Sequence, residues 1–123
     1  MKIRLFPLSL ALAGLATLAT AQAELRPLQK LMQARAGWMK AMSQNLASKN
    51  LAEVTKDAEE LSKQAAKVAD GVEGERKVFN QKVSDLAKAV GEAAAGGDEV
   101  VIKARLGELK ATCADCHAKF RDK

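Results

Sequence analysis

Apolar residues return every three or four positions through four successive stretches of this chain, a rhythm that points to helices packed face to face. The first stretch runs from about Leu25 to Ala47, with Leu25, Leu28, Met32, Met39, Met42 and Leu46 on its stripe. Pro27 suits a first helical turn, where the missing N–H costs nothing. The second runs from about Leu51 to Ala69 through Leu51, Val54, Ala58, Leu61, Ala65 and Val68. The third runs from about Glu73 to Ala95 through Phe79, Val83, Leu86, Val90 and Ala93. The fourth runs from about Asp98 to Phe120 through Ile102, Leu106, Leu109, Cys113, Cys116 and Phe120.

The separators are short. Ser48-Lys49-Asn50 divides the first pair, and Asp70-Gly71 with Gly74 the second. Gly96-Gly97-Asp98 divides the third, with glycine suited to close one helix and Asp98 to cap the next. Short links make consecutive helices antiparallel. The expected fold is all-α, an antiparallel up-down-up-down four-helix bundle. Beyond residue 23 the aromatic residues are Trp38, Phe79 and Phe120 alone, which leaves a thin core for a protein-only bundle. A buried porphyrin would supply the missing apolar bulk.

The last stripe carries chemistry. Cys113-Ala114-Asp115-Cys116-His117 is the C-x-x-C-H pattern that attaches c-type haem. Two thiols at this spacing add across the two vinyl groups of one porphyrin, and the adjacent imidazole reaches the iron. On a helix the three residues stand at i, i+3 and i+4, one face. The cysteines extend the apolar rhythm of the fourth stretch, so their sulfurs are expected to point into the core. The chain has two cysteines and one histidine, and this motif uses all of them.

Other readings of the motif are weaker. A thiol–disulfide site usually opens a helix in a βαβ setting, and no strand pattern is present. A structural zinc site takes four protein ligands, and only three cluster here. A plain coiled coil of the third and fourth stretches would not account for the motif.

Residues 1–23 read as a secretory signal: Lys2 and Arg4, an apolar run from Leu5 through Ala19, then Ala21-Gln22-Ala23 as a cleavage site. An uncleaved anchor is the alternative, since the run from Leu5 to Ala23 carries no charge. The small-residue ending favours cleavage, which leaves residues 24–123 as the bundle domain with no stable membrane insertion. Haem attachment of this type takes place outside the bacterial cytoplasm, so a periplasmic location fits the motif. The net charge of +5 is modest and its charges are interspersed. No basic stripe with interleaved aromatics supports nucleic-acid binding. The mild positive charge suits docking to acidic redox partner proteins of unknown identity. No Ser/His/Asp set or phosphate-cradling glycine loop points to an enzyme. Glu59-Glu60 reads as a solvated helix face.

Bundle topology narrows the second axial position. His117 lies ~9 Å from one end of the bundle and Met32 ~12 Å from the same end, at ~1.5 Å per residue. Met39 would stand ~10 Å further along. No second histidine exists, so a thioether from Met32 is the reasonable sixth ligand. Ordinary core packing by Met32 stays open beside it. Arg35, one turn on, pairs with a haem propionate or is solvated.

Cys113-Ala114-Asp115-Cys116-His117-Ala118-Lys119-Phe120-Arg121 resembles the C-x-x-C-H-x-x-[FY]-R ending of cytochrome c′ and its low-spin relatives, the class II c-type cytochromes. Gln29-Lys30-Leu31-Met32 resembles the segment where low-spin members carry a methionine ligand. The resemblance implies one covalently attached haem c, with Cys113 and Cys116 as thioethers, His117 as proximal ligand and Met32 as the sixth. It also implies Phe120 beside the haem, Arg121 near the proximal histidine, and a homodimer as a permitted assembly. The chain departs from the family by being short and by holding Leu28 where many members have arginine. Two functions follow as expectations: a periplasmic electron carrier, or a five-coordinate haem protein binding nitric oxide or carbon monoxide. A thiol-redox or helical interaction protein without haem is the third.

Overall fold

The computed structural model describes residues 27–120. The proposed signal, residues 1–23, and Arg121 lie outside them. The described elements are four helices: α1 Pro27–Ala47, α2 Leu51–Asp70, α3 Glu75–Ala95 and α4 Glu99–Phe120. Their bounds agree with the periodicity to within about two residues, and Pro27 opens α1 as its ring geometry favours.

The chain divides into two compact units at Gln33/Ala34. The opening turns of α1, Pro27–Gln33, belong to the first; there Leu31 and Met32 are half-buried while Gln29, Lys30 and Gln33 are exposed. The second unit holds the rest of α1 together with α2, α3 and α4.

Within the second unit, the side-chain partners give the helix directions. Going up α3, Lys77 donates to the Ala69 carbonyl, Ser84 to Ser62, and Gly91 lies against Ala58. The α2 numbers fall as the α3 numbers rise, so the two are antiparallel. Arg35 with Gln64 and Asn45 with Asp57 set α1 against α2 in the same sense. Lys49, at the far end of α1, pairs with Glu99 at the start of α4. Arg35, toward the near end, interacts electrostatically with Cys113 and Cys116. The up-down-up-down order expected from short links is therefore the observed order.

Capping chemistry produces the links. After α3, the Gly97 N–H bonds the Ala94 carbonyl and the Asp98 N–H bonds that of Ala93, the paired closure of a Schellman turn. Gly97 takes φ +74°, which glycine adopts without a Cβ penalty. Asp98 Oδ1 then accepts the Val101 N–H at 3.2 Å and starts α4, as its position suggested. The same double closure ends α1, Lys49 N–H to Leu46 and Asn50 N–H to Asn45, but there the residue at positive φ is Lys49, at +64°.

Met42, Val54, Ala58, Leu61, Ala65, Val83, Ala87, Val90, Ile102 and Leu109 form the core, with Trp38, Met39 and Cys113 packed at its margin. In α3 the most buried face is Asn80, Val83, Ala87, Val90, Gly91 and Ala94. Phe79, Leu86 and Ala93, which the periodicity put on the stripe, are only half-buried. The reason is the α2–α3 contact, where alanine, serine and glycine let the backbones come close and the larger side chains stand at the flanks. Ser62 and Ser84 seal it by each donating to the other's carbonyl at 2.9 Å.

Candidate functional site

One level of the second unit gathers the sequence candidates. Cys113 and Cys116 are free thiols, both half-buried, on the last two turns of α4. Cys113 packs against the core margin, whereas the fully covered position on that stretch is Thr112, whose hydroxyl donates to the Glu108 carbonyl at 2.9 Å. Cys113 thus continues the core stripe at its margin, and Cys116, one turn on, is half-buried. His117 is exposed, on the same side of the helix as the two cysteines by its i, i+4 spacing from Cys113. Burial pushes both thiols up from their ordinary range, and the neighbouring Arg35 guanidinium partly opposes this.

Arg35 is not the solvated residue that usual exposure favours. It is 7% exposed, and its charge is held by neutral groups. Nε donates to Gln64 Oε1 on α2 at 2.6 Å, and Nη2 donates to Asn80 Oδ1 on α3 at 2.5 Å. Burial depresses its pKa, while Cys113 and Cys116 act in the opposite direction. Phe120 lies at the end of α4 in edge-to-face contact with Phe79, with the Arg76 guanidinium 5.0 Å above its ring. Gln64, Asn80, Phe79 and Arg76 were not singled out from the sequence as site residues. The spacing of three between Asn80 and Val83 is the one sequence signal that could have placed Asn80 on the buried face.

The donor set suits a covalently held porphyrin. Two free thiols nearly one turn apart, an exposed imidazole and a buried cation lie at one level of the bundle, with Cys113 against the core margin. Among the described residues, no three His, Cys, Asp or Glu side chains converge to hold a bare metal ion. A helical bundle bearing C-x-x-C-H on its last helix belongs to the class of c-type cytochromes.

Residues 70–121 match the family model for cytochrome c′, a stretch that includes α3, α4 and the whole motif. Over that stretch the chain is similar to the cytochrome c′ family. The family's cofactor is one covalently attached haem c, and its members are haem proteins rather than enzymes. No curated protein and no solved structure gave a match. Among the described residues, no helix is long and apolar enough to cross a membrane.

Proposed function

We propose that the protein is a periplasmic electron carrier in which residues 24–123 form the mature domain. Cys113 and Cys116 carry the haem through thioethers, and His117 supplies the proximal imidazole. Met32, assigned from its register in α1 and the family resemblance, supplies the sixth ligand. The haem contributes a reversible one-electron iron couple. The protein's own task is to hold both axial groups and exclude water, so that electron transfer requires little rearrangement. Arg35 and Phe120 contact the haem in this reading, with Arg121 on the proximal side. Redox partner proteins dock near the end of α4, and a homodimer is compatible with the family.

The observation that carries the reading is the grouping of Cys113 and Cys116 with the buried Arg35 in a chain that matches the cytochrome c′ family model over residues 70–121. Absorption spectra of the exported protein test it. A low-spin ferrous spectrum in the wild type, lost in Met32→Ala, is expected. A high-spin wild type that binds carbon monoxide rapidly would replace the carrier with a gas-binding protein. Colourless protein from a host with competent cytochrome maturation would remove the haem reading altogether. Intact mass adds a check, because the gain of one haem should survive acid denaturation.

A further inference from the structure

Arg35 is a buried cation with no carboxylate partner among the described residues. Its described partners are the amide oxygens of Gln64 and Asn80, which orient and solvate a guanidinium but do not neutralise it. The ion pairs among the described residues are Lys49–Glu99, Arg105–Glu108 and Lys119–Glu75, none of which includes it. Leaving a charge buried without an opposite charge is costly, so the fold retains it against a penalty.

The clamp is also fixed from behind. Asn80 is 6% exposed, and its Nδ2 donates to the Arg76 carbonyl at 2.8 Å. That bond turns Oδ1 toward Arg35. Three helices thus converge on one guanidinium, α1 supplying it and α2 and α3 holding it, and on α4 it interacts electrostatically with the two cysteines.

We infer that the Gln64–Arg35–Asn80 clamp is a fixed positive charge that raises the haem's reduction potential, with Gln64 and Asn80 as positioning residues. The inference rests on the haem reading above. Ferric haem carries one more positive charge than ferrous haem. A nearby cation that cannot move or lose its proton disfavours the ferric state, and a dry setting strengthens the effect. A propionate paired with Arg35 leaves the sign unchanged, because removing the cation still favours the ferric form.

Potentiometric titration of the holoprotein tests this with wild type, Arg35→Gln, Arg35→Lys and Asn80→Asp. Arg35→Gln should shift the reduction equilibrium toward the ferric form by roughly tenfold, equivalent to about 59 mV for one electron. Asn80→Asp keeps the cation but sets a carboxylate against it, and should shift the equilibrium the same way. Arg35→Lys keeps the charge and should stay nearer wild type. The shifts should persist at high salt, since a buried charge is poorly screened. Haem-loaded Arg35→Gln and Asn80→Asp with wild-type potentials would overturn the inference, even if both unfolded more readily. If Arg35→Gln does not fold, Asn80→Asp decides alone. A wild type without haem would instead overturn the reading beneath it.

Discussion

The rings of Phe79 and Phe120 meet edge to face, with centroids 6.0 Å apart and planes at 84°. They join the second turn of α3 to the last residue of α4, one turn beyond Cys116. The Arg76 guanidinium lies over Phe120, and Lys119 pairs with Glu75 alongside. Without these contacts the end of the motif-bearing helix would fray as helix termini do.

Replacing Phe79 with leucine keeps most of the apolar bulk and removes the ring pairing. The expected loss is about 0.5–1.5 kcal/mol in denaturant unfolding of the holoprotein. Hydrogen exchange should quicken first at Lys119 and Phe120. Uniform acceleration across all helices would show that the aromatic pair has no local role.

Gly91 sits where α3 crosses α2, and a Cβ there would meet the Ala58 Cβ at 3.5 Å, an ordinary contact. Gly91→Ala should therefore fit and raise stability by up to about 1 kcal/mol through helix propensity. Gly91→Leu has no such room and should cost about 1–3 kcal/mol. Thermal melts of the two variants should move in opposite directions; a shared direction would refute the close-approach account.

Lys49 occupies a left-handed position that glycine fills more cheaply. Lys49→Gly should stabilise the chain by on the order of 1 kcal/mol. It also removes the ion pair with Glu99, but both side chains reach solvent and such surface pairs contribute little. A measured loss on urea titration would mean that the Glu99 contact outweighs the backbone strain.

The Asp57 carboxyl titrates above its ordinary range because burial disfavours its charge, and Glu53, one turn back, adds repulsion. The folded state thus favours the protonated form. That contribution is complete below the unfolded pKa of about 3.9 and is lost as pH rises through the higher folded value. At neutral pH, Asp57→Asn should stabilise by about 0.2–0.5 kcal/mol, the size of an i, i+4 like-charge repulsion. The gain should vanish by about pH 3. An equal gain at both pH values would point to a cause other than charge.

Much of the fold can be read without coordinates. Spacing of three and four places every helix, Gly97 and Asp98 mark a closure and a start, and C-x-x-C-H names its own chemistry because that chemistry depends on residues adjacent in sequence. Periodicity was less informative about burial. It assigned Phe79 and Leu86 to the stripe of α3, yet the buried positions are Asn80 and Ala87, each one position on.

Local sequence determined the helices, their links and the attachment motif, because hydrogen bonding, capping and thiol spacing act within a few residues of one another. Tertiary structure alone decided that Arg35 is enclosed rather than solvated, since its amide partners, Gln64 and Asn80, lie 29 and 45 residues away along the chain. A charge's environment is made by whatever the fold brings against it, and no pattern around Arg35 encodes those neighbours.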